Sequence, residues 1–135
     1  NRMRAFAIEI LDPKNCMVHF NARNIPEDLK FDMVKRKNLY LIFKEAINNA
    51  AKYAECNNVW IDISLNGHKK LVMKIKDDGK GFVADINQSG TGLKNLTSRV
   101  KSVNGSLKIS NGLKHGVTVH ISIPLGSNGT EQSSE

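Results

Sequence analysis

Residues 39 to 53 read Leu39-Tyr40-Leu41-Ile42-Phe43-Lys44-Glu45-Ala46-Ile47-Asn48-Asn49-Ala50-Ala51-Lys52-Tyr53, and the period of this stretch is helical. Each residue of a helix advances about 100° around the axis. Asn49 therefore falls about 40° from Glu45, and Lys52 about 20° to its other side. A carboxylate, a carboxamide and an ammonium group share one narrow strip. Phe43, flanked by Leu39, Ile47, Ala50 and Ala54, lies about 160° away. That apolar arc is wide enough to bury against a sheet. An ordinary core helix with a solvated polar face also explains the pattern. The strip gains meaning only beside two glycine-rich segments further along.

Upstream, Asp32 is a suitable N-cap for this helix, which is expected to run to about Ala54. Asn24 to Lys30, with Pro26, reads as a connection. Met17 to Ala22 alternates weakly and suits a strand. Asn1 to Leu11 carries Met3, Ala7, Ile10 and Leu11 at helical spacing, and Pro13 closes it. So short a helix does not stand alone, and it reads as the tail of an upstream helix.

Downstream, Val59, Ile61, Ile63 and Leu65 face one way while Trp60, Asp62 and Ser64 face the other, a strand with one buried face. Asn66-Gly67 starts a turn. Leu71, Met73 and Ile75 continue the alternation, so the two strands are expected to form a hairpin. By period two, Asp77 joins Leu71, Met73 and Ile75 on the apolar face. A carboxylate there is costly unless a donor reaches it. Asp78-Gly79-Lys80-Gly81 is turn chemistry, so the plain reading is a hairpin end whose carboxylate caps a backbone amide. Phe82 to Ser89 shows no period. Gly90-Thr91-Gly92-Leu93 then leads into a helix marked by Leu93, Leu96, Val100 and Val103, with Asn104-Gly105 as its stop. A loop with two glycines feeding a helix N-terminus presents free N–H groups and a positive dipole end, which suits a phosphate; an ordinary loop-to-helix junction has the same look. Ser106 to Ser110 and Gly116 to Ile123 read as a last pair of strands, with Val117, Val119, Ile121 and Ile123 inward and Pro124 at the end. Gly126 to Glu135 is polar and expected to be disordered.

Composition sets outer bounds. The chain has 135 residues, 40% hydrophobic and 24% charged, which fits one domain with a real core. No apolar run approaches the ~20 residues of a membrane span, and no signal-peptide layout opens the chain. It starts at Asn1 without an initiator Met, as a piece of something longer would. Cys16 and Cys56 form no metal-ligand spacing, and a reduced, cytoplasmic setting is the simplest reading. The net charge of +7 is uneven, because no Asp or Glu occurs between Asp85 and Glu131. A basic half suits nucleic acid, an acidic partner or a polyphosphate. The scarcity of aromatic residues and the lack of basic–aromatic alternation argue against nucleic acid.

Several chemistries lack their residues. There is no Gly-x-x-x-x-Gly-Lys-Ser/Thr phosphate loop. Asn95 stands where the third glycine of the dinucleotide fingerprint belongs, and no acid follows ~20 residues on. His19, His68, His115 and His120 have no metal-site spacing, and no nucleophile elbow is present.

Three boxes occur in order: Glu45-x-x-x-Asn49-x-x-Lys52-Tyr53, Asp77-x-Gly79-x-Gly81 and Gly90-x-Gly92-Leu93. Together they resemble the ATP-binding domain of sensor histidine kinases, within the superfamily that includes gyrase, Hsp90 and MutL. The resemblance covers about residues 15 to 125. The short gap between the second and third boxes looks most like the subgroup with abbreviated ATP lids. The resemblance implies an α/β two-layer sandwich of the Bergerat type, with a mixed, mostly antiparallel sheet packed on helices. It divides the chain into residues 1–13, the end of a dimerisation-domain helix, residues 14–125, the catalytic domain, and the tail at 126–135.

It also implies roles. Asp77 accepts from the adenine amino group, Gly79 and Gly81 let backbone approach the base, and Phe82 and Tyr53 pack near the nucleotide. Asn49 gives its carbonyl oxygen to Mg²⁺ and Lys52 meets phosphate charge. Gly90, Thr91, Gly92 and Leu93 form the lid end that meets the phosphates. Glu45 orients or accepts a proton from the attacking group. The partners so implied are ATP, a histidine-bearing dimerisation domain of the same protein, a response regulator and a second copy in a homodimer. Two departures stand out. Relatives often open the last strand with Gly-Thr, whereas here Gly116-Val117 does so and Thr118 alternates to the other face. No histidine here sits in a matching helix. Two other functions fit the residues: an anti-sigma-type protein serine kinase of the same fold, and a non-catalytic basic interaction module.

Overall fold

The computed structural model describes residues 2–23, 33–53, 57–66, 70–79, 91–111 and 116–124. In chain order these form α1 (Arg2–Leu11), β1 (Met17–Arg23), α2 (Met33–Tyr53), β2 (Asn58–Asn66), β3 (Lys70–Asp77), α3 (Thr91–Ser102), β4 (Ser106–Asn111) and β5 (Val117–Pro124). The connection at Asn24 to Lys30, the Asp32 cap, Ala54, the turn at Gly67, His68 and His115, Cys56, the stretch Phe82 to Ser89 and the tail lie outside the described residues.

The strands form one sheet in the order β1-β2-β3-β5-β4. β1 and β2 run parallel, joined over the sheet by α2, and every other neighbouring pair is antiparallel. The mixed, mostly antiparallel sheet and the β2–β3 hairpin follow the expectation from sequence. Period two sorts the faces. Val59, Ile61, Ile63, Leu71, Met73, Ile75, Val117, Val119, Ile121 and Ile123 are all buried. Rows cross the sheet in register, as in Phe20–Ile61–Ile75–Val119–Ile109. The helices lay Leu39, Ile42, Phe43, Ala46, Ile47, Leu96 and Val100 into the same core. The buried arc of α2 is wider than the Leu39–Phe43–Ile47–Ala50 stripe, since Ile42 and Ala46 are buried beside it.

The short helix α1 is part of this core, with Ala7 and Leu11 both fully buried. A single 3₁₀ turn over Asp12–Lys14, with Pro13 at its start, ends it, and Asn15 takes a left-handed conformation at φ 62°. On the opposite face of the sheet Trp60 stacks on His19 with ring centroids 5.3 Å apart, and the Lys76 ammonium lies 5.8 Å from the Trp60 centroid. Neighbours on both flanking strands thus cover the one large aromatic placed on the outer side of β2.

The stop of α3 is a Schellman turn. Gly105 N–H donates to the Val100 carbonyl and Asn104 N–H to the Lys101 carbonyl, each at 2.9 Å. The left-handed residue is Asn104, at φ 61°. Gly105 is needed for space instead: a Cβ there would stand 2.8 Å from the Ser122 carbonyl oxygen.

Candidate functional site

Among the described residues two polar or charged side chains are buried, Asn49 at 5% and Asp77 at 2% exposure. Both belong to the boxes singled out in the sequence. Asp77 ends β3 opposite Val59, inward-facing as its period requires. Its Oδ1 accepts from Gly79 N–H at 3.0 Å, and the Val117 amide is a second donor. Burial raises the carboxyl above its ordinary range, and the negative charge of Asp78 adds to the rise. The Gly79 and Val117 amides pull the other way without cancelling it. The plain reading of a carboxylate capping an amide is thus realised, but it does not explain the depth of burial. A carboxylate held by neutral amides at the end of a buried strand can accept from an N–H that a ligand brings.

Backbone shape fixes this corner. Gly116 has φ +91°, and a Cβ on it would run into the Asp77 carbonyl. Its N–H donates to the Gly79 carbonyl at 2.6 Å. β5 therefore begins by laying bare backbone against the Asp77–Gly79 bend, and the Val117 amide points at the carboxylate. Thr118 faces the other side, opposite Lys76, so its hydroxyl does not reach this corner, and the donor that β5 supplies to Asp77 is the Val117 amide.

Asp78 holds the bend from the other side. Its Oδ1 accepts from the Asn57 and Asn58 amides, and its Oδ2 from Asn58 Nδ2, all at 2.9 Å. Burial opposes ionisation of Asp78. The Asn58 side chain and the two amides outweigh it and keep the carboxyl below its usual value. Asn58 Oδ1 in turn meets His19 Nε2 at 2.9 Å.

On α2, Glu45 and Asn49 stand one turn apart. Asn49 Nδ2 has no hydrogen-bond partner among the described residues. A buried amide left unpaired is costly, and a ligand oxygen would satisfy it. Glu45 is only 23% exposed and its Oε1 accepts from Arg99 Nε on α3 at 3.1 Å. Lys52 and Tyr53 lie in the last turn of α2. Thr91, Gly92 and Leu93 form the first turn of α3, where the N–H groups have no partner within the helix. Gly81, Phe82 and Gly90 lie outside the described residues. No group of three or more His, Cys, Asp or Glu could hold a metal ion among the described residues.

Three residues at this site escaped the sequence reading. Gly116 carries no local mark of its contact with Asp77. Asp78 reads as turn chemistry like its neighbours. Arg99 lies in a run of basic residues that charge alone does not resolve.

Residues 34–127 match the family model described as histidine kinase-, DNA gyrase B-, and HSP90-like ATPase. The chain is 32% identical over 97 residues to sensor histidine kinase YdfH of Bacillus subtilis, covering 70% of this chain and 24% of that protein. It is 29% identical over 114 residues to the oxygen sensor histidine kinase NreB of Staphylococcus carnosus, covering 83% of this chain and 33% of that protein. It thus spans about a quarter to a third of the length of these relatives. The fold is similar to the histidine kinase domain of the Erythrobacter litoralis EL346 blue-light activated histidine kinase, with TM-score 0.74 at 22% identity, over 91% of this chain and 63% of that one.

Proposed function

The chain belongs to the histidine kinase-, DNA gyrase B- and HSP90-like ATPase family, and on that premise we propose that it is the ATP- and magnesium-binding catalytic domain of a two-component sensor histidine kinase. The observation that carries this reading is the burial of Asn49 and Asp77 at the very positions where the family's boxes call for ligand contacts.

Asp77 accepts from the adenine amino group, Gly79 lets backbone approach the base beside it, and the close packing of Gly116 on the Asp77 carbonyl holds the bend. Asn49 offers its amide to the phosphate end, where hard oxygen donors suit Mg²⁺. Phosphate oxygens and water would be the natural further ligands for such an ion. When bound it supplies charge neutralisation across the phosphates. Lys52 and the N–H groups of the first turn of α3 add positive charge there. Gly81, Phe82 and Gly90 are assigned to the same site by the resemblance alone.

In the full protein the γ-phosphoryl passes to a histidine imidazole on a separate dimerisation domain. A nitrogen–phosphorus bond forms, the bond to the β–γ bridging oxygen breaks, and ADP leaves. The protein supplies position and electrostatics rather than covalent chemistry. α1 would then continue from that dimerisation domain, the parent would act as a cytosolic homodimer, and a response regulator would receive the phosphoryl group. No helix among the described residues is long and apolar enough to cross a membrane.

The test is calorimetric titration with Mg²⁺ and a non-hydrolysable ATP analogue, beside Asp77→Asn. Saturable binding by the native chain and its loss in a folded variant is the expected result. A native chain that binds no analogue rules the reading out.

A further inference from the structure

We infer that Arg99 is a positioning residue for the phosphate end of this site, acting through Glu45; the inference rests on the nucleotide reading above. The contact joins two elements that also pack together through the core. Leu96 and Val100 bury one side of α3 in the core, and Arg99, adjacent to Val100, reaches Glu45 on α2 at 3.1 Å.

The geometry has one consequence at each end. Arg99 stands eight residues after Thr91, about 12 Å along a rigid helix. Fixing it against α2 fixes where the α3 N-terminus points. Glu45 stands one turn from Asn49, about 6 Å between their side-chain roots. The first turn of α3 and the Asn49 amide, the two groups proposed to meet phosphate, are therefore referenced to each other through this pair.

Charge gives the second consequence. Left bare, Glu45 would place a carboxylate on the strip proposed to face a triphosphate, and like charges there oppose binding. Arg99 cancels that charge while remaining 36% exposed itself. The pairing gives Glu45 a structural role, tying α2 to Arg99 through Oε1. A partly exposed pair that merely stapled two helices would alter stability slightly and would not sense how many phosphates a ligand carries.

That difference is the test. Arg99→Ala and Glu45→Gln/Arg99→Ala are compared with the native chain for the Mg²⁺–ATP analogue by calorimetry and for adenosine by NMR titration, with melting curves as the control for folding. Arg99→Ala is expected to weaken the analogue about three- to tenfold. Adenosine affinity, set at the Asp77 end, stays unchanged. The loss shrinks at high salt, and adding Glu45→Gln recovers only the part due to the uncompensated carboxylate; the part due to the lost tie between α2 and α3 remains. Equal loss for both ligands, or unchanged analogue affinity with a lowered melting point, would overturn the inference while leaving the nucleotide site intact. A native chain that binds neither ligand overturns both.

Discussion

A carboxylate buried as deeply as Asp77 and met by backbone amides works against the fold at neutral pH. Its folded-state value is raised, chiefly by desolvation. The folded state therefore binds the proton more tightly than the unfolded chain, whose Asp titrates at about 3.9. The unfavourable contribution is complete above the folded value and vanishes as pH falls below the unfolded one. Asp77→Asn keeps an oxygen for the Gly79 amide and removes the charge. In urea titrations it is expected to be at least as stable as the native chain at pH 7, with the gap closing as pH falls towards 4. A variant less stable by about 1 kcal/mol or more at every pH would mean the carboxylate is structural. With loss of analogue binding, the expected result is a residue retained for a ligand at a cost to the fold.

At the scale of elements, the end of the β2–β3 hairpin is set by one side chain. Asp78 ties β3 to the start of β2 through three bonds to Asn57 and Asn58, and the same bend carries Asp77 and Gly79. Asp78→Ala leaves those amides without their acceptor. It is expected to destabilise the domain by about 2 kcal/mol and to weaken the ATP analogue, because the Gly79 amide loses its fixed position. Because the Asp78 value is lowered, its stabilising effect is present at neutral pH and is lost as pH falls through that folded value. The deficit of Asp78→Ala relative to the native chain should therefore narrow on acidification. A deficit that stays constant down to pH 2 would show that the carboxylate's charge is irrelevant to the clasp.

For the whole molecule, the question is how far one core extends. The sequence reads residues 1–13 as the end of an upstream helix, and Ala7 and Leu11 of that helix lie in the cluster that also holds Phe43, Ile61 and Ile121. Leu11→Ala is expected to cost about 2–5 kcal/mol and to shift one cooperative melting transition. A transition unmoved by the change would make α1 an appendage. Much of this architecture was legible beforehand, because it rests on local periods. The 3.6-residue period of Leu39–Tyr53 and the period-two runs at 59–65, 71–77 and 117–123 each declare an element and a buried face. The inward turn of Asp77 follows from counting by twos. Three boxes in order were enough to suggest the family. What local pattern does not encode is which distant atoms meet. The Arg99–Glu45 pair spans 54 residues and the Asp78–Asn57 bond 21. The approach of Gly116 to Asp77 requires β5 to be inserted between β3 and β4. Periodicity assigns a side chain to a face through its own backbone geometry; its partner across the fold is chosen by packing, and so appears only once the sheet and helices are assembled.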